Sequence, residues 1–164
     1  MSCDSCTILG VPEHLCAFNK EVDVPFEENE VLYRRVPNSL PSENDKLTAE
    51  HLKQIFPLRS DSYNRSLFSE PGDVLIDHLG NHYPNEVSIS LPIQEINSIS
   101  FSVKDSKLGE RVFSLVVRGD ILDCNYSHCE IDCYQDGVKI DPNSNPRSSK
   151  QFMRNQLKNL IRFN

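Results

Sequence analysis

From His128 to Tyr134 the chain alternates without a break: His128, Glu130, Asp132 and Tyr134 carry polar groups, and Cys129, Ile131 and Cys133 between them are apolar. A strand, whose side chains point to opposite faces at a period of two, sorts such a pattern into one chemical face and one core face. Asp136-Gly137 follows, a pair favoured where both central residues of a two-residue hairpin turn take positive φ. A hairpin with Val138-Lys139-Ile140 as its short return strand is therefore expected, and a sheet must surround it.

Other segments supply that sheet. Val31 to Val36 is β-prone and stops at Pro37, Val87 to Leu91 and Ile99 to Val103 alternate, and Val74-Leu75-Ile76 reads as a brief buried strand. Val112 to Val117 is nearly continuously apolar, which places it centrally, and a loop with Gly109 joins it to Ile99–Val103 as a hairpin. Helices stand before and after. Thr48 caps a short one with Leu52, Ile55 and Phe56 as its apolar stripe and Pro57 as its stop. A second starts at Ser148 or Ser149 and runs to about Arg162, with Met153, Leu157, Leu160 and Ile161 on one side. The expected fold class is α+β, a mostly antiparallel sheet of about five to seven strands with the amphipathic C-terminal helix and the short N-terminal-half helix packed on one face. The 164 residues suit a single domain over 31–164 preceded by an irregular, Cys-containing arm over 1–30.

The formal net charge is −7 and no run of five Lys or Arg occurs, so duplex nucleic acid and anionic membranes are disfavoured as partners. No stretch approaches the ~20 apolar residues of a membrane span, and the N-terminus lacks the basic and apolar regions of an export signal. The expectation is a soluble, cytoplasmic protein whose six cysteines are thiols or metal ligands. Cys3, Cys6, His14 and Cys16 are numerous and close enough to close a tetrahedral zinc site, which would order the arm. Cys129 and Cys133 point into the core as buried thiols.

Two clusters carry candidate chemistry. His128 and Glu130, two apart on one face of a strand, can serve as a catalytic pair, the carboxylate raising the basicity of the imidazole; Tyr126 precedes them as a positioning group. The solvated side of an edge hairpin shows the same pattern. Arg34 and Arg35 on the first strand, with Arg59, Ser62, Asn64 and Arg65 in a Ser/Asn-rich segment, form a candidate anion site, because guanidinium forks take phosphate or carboxylate bidentately. Surface charges paired with Asp61 and Glu70 are the alternative. The order Arg34 or Arg35, Ser60 or Ser62, Glu130 resembles the Arg, Ser, Glu order of one class of ADP-ribosyltransferases, with His128 standing where that class carries an acid or Gln.

No phosphate-cradling Gly-rich loop, Gly-x-Ser-x-Gly elbow or His-Glu-x-x-His occurs. Two readings follow. In one, a nucleotide- or phosphate-processing enzyme holds a small phosphorylated ligand with its arginines. In the other, a non-catalytic module binds a protein partner, for example as an acidic inhibitor or immunity-type partner of a basic protein.

Overall fold

The computed structural model of the chain describes residues 3–58, 61–106, 109–141 and 147–164. Among them are four α-helices, α1 (Cys3–Ile8), α2 (Ala49–Ile55), α3 (Ile93–Asn97) and α4 (Arg147–Lys158). Eight strands accompany them: β1 (Val31–Pro37), β2 (Tyr63–Arg65), β3 (Glu86–Pro92), β4 (Ser100–Asp105), β5 (Gly109–Gly119), β6 (His128–Gln135), β7 (Val138–Lys139) and β8 (Arg162–Phe163). They form one antiparallel sheet in the order β4-β5-β6-β2-β1-β3-β8, with β7 paired to β6. No helix among the described residues is long and apolar enough to cross a membrane.

The period-two pattern sets the two faces. On one, Leu32, Ile89, Leu115 and Ile131 meet Leu52, Ile55 and Phe56 around α2 and Met153 and Leu157 of α4, all in one buried cluster. Thr48 caps α2 by accepting from the His51 backbone N–H, while His51 Nδ1 accepts from the Thr48 N–H, a reciprocal cap that fixes the helix start. At the β6–β7 turn, Asp136 and Gly137 both take positive φ, 51° and 79°, as the dipeptide requires.

Three local expectations are corrected. Val74-Leu75 belongs to a 3₁₀ turn over Asp73–Leu75, and Ile76 makes only an isolated bridge to His82. The apolar run of β5 lies one strand from the sheet edge, with Phe113, Leu115 and Val117 buried and Val112 and Val116 exposed. The last helix stops at Lys158, and Arg162-Phe163 instead pairs with the outer edge of β3.

The arm is ordered by sulfur rather than metal. Disulfides join Cys3 to Cys16 and Cys6 to Cys124, and these sulfurs form a second small core with Val11 and Leu15. His14 turns away, its Nε2 lying 2.7 Å from Asp73 Oδ2. The expected zinc set is therefore not assembled. Cys129 and Cys133 are free and buried; burial pushes the Cys133 thiol up to about 11 and that of Cys129 higher still.

Further along the arm, one guanidinium gathers several contacts. Arg65 Nε and Nη2 donate to Glu30 Oε1 and Oε2 at 2.7 and 2.9 Å, and Nη1 and Nη2 donate to the Val24 and Pro25 carbonyls at 2.8 Å. Both side chains of the pair are almost fully buried. The Asp77–Tyr83 loop is closed in a similar way, since Asp77 accepts from the backbone N–H groups of Leu79 and Asn81, the Asn81 amide and the Tyr83 hydroxyl. Burial alone would raise the Asp77 carboxyl, but the bonds from Asn81, Leu79 and Tyr83 outweigh it and hold the group at about 2.

Three outcomes follow from this framework. Arg65→Ala leaves Glu30 buried and uncompensated and lowers the unfolding free energy by about 3 to 5 kcal/mol in urea titration; a loss below about 1 kcal/mol would mean that the pair is not buried. Iodoacetamide on denatured, unreduced protein modifies only Cys129 and Cys133, and all six cysteines once reductant is added, a count read by intact mass. The folded pKa of Asp77 lies below its ordinary 3.8, so its contribution is complete above that value and is lost as pH falls towards about 2. Asp77→Ala therefore melts at lower temperature at neutral pH, by about 1 kcal/mol, and the difference from the parent chain narrows over that acid window.

Candidate functional site

β2 is three residues long, whereas its neighbours β1 and β6 run for seven and eight. Beyond Tyr63 the two long strands lose their common partner, and the chain leaves the sheet through Ser62 and Asp61. A cleft of about 750 Å³ opens there. Its floor is the sheet face opposite the helices, with Arg35, Asn64 and His128; Val74, Ile76, Asp77 and His78 stand on one side, Leu122 and Asn125 on the other, and Asp61 and Glu86 also line it.

Arg34 and Arg35 leave β1 on opposite faces, yet both line this cleft. Arg34 alternates with Leu32 and Val36 on the helix side; the gap beyond β2 lets its guanidinium lie 5.0 Å from the Tyr63 ring and donate to the Ser62 carbonyl at 3.2 Å. Among the described residues no carboxylate stands within ion-pair distance of it, and its buried Nε has no hydrogen-bond partner. Arg35 is more constrained: its guanidinium lies 3.8 Å from the Tyr83 ring, and Nε is 3.1 Å from Glu86 Oε2. That last contact is close but off-axis, so Glu86 Oε2 accepts no well-aligned hydrogen bond.

His128 is 5% exposed and bonded through both ring nitrogens. Nδ1 is 2.5 Å from the Asp120 carbonyl oxygen, which can only accept, so the proton resides on Nδ1. Nε2 is then an acceptor, and Ser62 Oγ donates to it at 3.1 Å. The Asp120 carboxylate is more distant, 3.5 Å from Nδ1. Register places Asp120: Gly119 pairs with Cys129 at the end of β5, and the Asp120 N–H donates to the His128 carbonyl at 3.1 Å. Ser62 itself is exposed. Beside the pair, Asn125 Nδ2 donates to Asn64 Oδ1 at 2.8 Å and Ser127 Oγ to Asn125 Oδ1 at 2.7 Å, fixing both amides.

Arg34, Arg35, Ser62, Asn64 and His128 thus come together from the two sequence clusters. The other described candidates stay outside this cleft, although Arg65 and Tyr126 line a second cavity, of about 310 Å³, that His128 also borders. Glu130 shares the face of His128 but is drawn to Arg118 Nη2 at 3.0 Å, within a network in which Arg118 Nε and Lys139 Nζ both bond Asp132. The hydrogen bond to Asp132, reinforced by Asp120 and Glu130, holds the Arg118 guanidinium above its ordinary value. Arg65 is spent on Glu30, and Tyr126 donates its hydroxyl to the Glu21 carbonyl while its ring packs on Phe68. The Arg, Ser, Glu order is not assembled, since Glu130 does not line the cleft that holds Arg34 and Ser62. Arg59 and Ser60 lie outside the described residues.

Sequence reading missed Asp120 altogether. A Gly-Asp step ending an apolar run is the one local mark of Asp120; its use depends on the β5–β6 register, which is not local. Among the described residues no group of three His, Cys, Asp or Glu side chains is placed to hold a metal. The chain matches no protein-family model, no curated protein and no solved structure.

Proposed function

We propose that the cleft binds a small anionic compound, a phosphorylated ligand of nucleotide size, and that the protein acts on it as a small enzyme. One observation carries this reading: a guanidinium without a carboxylate partner, Arg34, opens onto the same cleft as a Ser–His pair in a chain of net charge −7. An acidic protein surrounds its cations with carboxylates. Asp61, Asp77 and Glu86 also line the cleft, but Asp61 accepts from the Leu58 N–H and the Tyr63 hydroxyl, Asp77 closes its own loop and Glu86 faces Arg35, so Arg34 is the guanidinium without an ion pair that an incoming anion meets. The volume of about 750 Å³ falls in the range that holds a small ligand. Asn64, Asn125 and Ser62 supply neutral hydrogen-bonding groups beside it.

Ligand-dependent melting tests the reading. Across a panel of inorganic phosphate, pyrophosphate and nucleotides, at least one compound raises the melting temperature, with about 2.7 kcal/mol of stabilisation at a concentration one hundred times its Kd. Arg34→Met abolishes the shift, and Arg34→Lys retains only part of it because an ammonium lacks the planar fork. Were no phosphorylated compound at millimolar concentration to move the melt of the unaltered chain, the anion cleft would be discarded.

A further inference from the structure

We propose that Ser62 is a nucleophile and His128 its general base, and that the group attacked is the phosphorus of a phosphate ester held by Arg34. The inference rests on the anion-cleft reading and adds the reaction to it.

Each part of a nucleophile, base and orienting group is present with hydrogen-bond geometry. Ser62 Oγ is 3.1 Å from His128 Nε2, and the Asp120 carbonyl 2.5 Å from Nδ1 selects the tautomer that leaves Nε2 open to a proton. Asp120 follows the last β5–β6 pair and its N–H donates to the His128 carbonyl, which holds the residue beside the imidazole. The exposures are divided as such a pair requires. The hydroxyl is open to the cleft and the imidazole is 5% exposed, which shields it from competing water. Arg34 donates to the carbonyl of Ser62 itself, so the cation is anchored to the residue that carries the attacking oxygen.

The step balances without a metal or redox partner. The Ser62 Oγ–P bond forms as the bond from phosphorus to the leaving oxygen breaks; the hydroxyl proton passes to Nε2 and from there to the leaving alkoxide. Water then attacks the phosphoserine, gives its proton to Nε2, and that proton returns to Oγ as phosphate departs. Arg34 faces the phosphoryl oxygens, where charge accumulates.

An organic fluorophosphate such as diisopropyl fluorophosphate tests the nucleophile directly on the full chain with its disulfides intact. Oγ–P forms, fluoride leaves, and the adduct is mapped by peptide mass. The expected result is one adduct at Ser62, absent in Ser62→Ala, formed at least about 100-fold more slowly in His128→Gln, and slowed by inorganic phosphate in the unaltered chain. Ser62→Ala removes one hydrogen bond to the buried imidazole, so it still unfolds cooperatively but is less stable by about 1 to 3 kcal/mol; a cooperative melt in that range shows that loss of the adduct is not loss of fold. The phosphate-protection measurement needs no variant and stands if His128→Gln does not fold. No adduct at Ser62, with phosphate stabilisation through Arg34 intact, overturns the nucleophile and leaves the anion cleft standing. An adduct that forms equally fast in folded His128→Gln overturns the general base. Absence of both adduct and phosphate stabilisation overturns both readings.

Discussion

The shortness of β2 governs the molecule. A strand of three residues between partners of seven and eight leaves backbone on β1 without a neighbour, and a sheet interior cannot keep such groups dry without satisfying them. The chain answers by sending Ser62 and Asp61 out of the sheet and letting arginine side chains occupy the opening. Arg34 serves the backbone there by bonding the Ser62 carbonyl, and Asp61 accepts from the Leu58 N–H. Had β2 run the full length of β1, Arg34 would lie under the helices as an uncompensated charge, a position that core packing would not tolerate.

The two arginines that flank this strand in space illustrate how environment divides one residue type between two tasks. Arg65 is enclosed, bidentate to Glu30 and stacked near Phe26 and Phe68; its hydrogen-bonding capacity is consumed within the chain, and it fastens the arm to the sheet. Arg34 is only partly buried, lies against one aromatic ring and donates through Nη1 to the Ser62 carbonyl, while its sealed Nε has no partner. Position relative to a strand end, not identity, separates the cation enclosed in the fold from the one that opens onto the cleft.

Regular alternation was legible and its consequences were reliable. The faces of β6, the Asp-Gly turn, the Thr48 cap and the antiparallel α+β class all follow from local patterns that burial enforces. The short β2, β8 and α3 were not, whereas β7, equally short, was legible from the Asp-Gly turn before it. The strands β2 and β8 are too short to display a period, and they exist because a neighbouring strand offers them partners. Long-range pairing was equally hidden: Cys6 finds Cys124, His14 finds Asp73, and Glu130 is taken by Arg118 rather than by the imidazole two residues away. In the candidate site, the face of β6 that carries His128 was legible, but the acceptor bonded to its Nδ1 is a backbone carbonyl, which no side-chain motif encodes.

The Cys6–Cys124 bridge spans 118 positions, which makes most of the polypeptide a covalent ring with a C-terminal tail. The turn bearing Asn125 and leading into His128 sits where that ring is fastened. A protease nick anywhere between the two sulfurs opens the ring without yielding separable fragments, so the pieces of the cleft remain tethered at the point where the imidazole is held. Such bonds endure in oxidising surroundings and are unpicked in reducing ones. Cutting followed by reduction releases the first strands of the sheet from the last, and cutting alone does not.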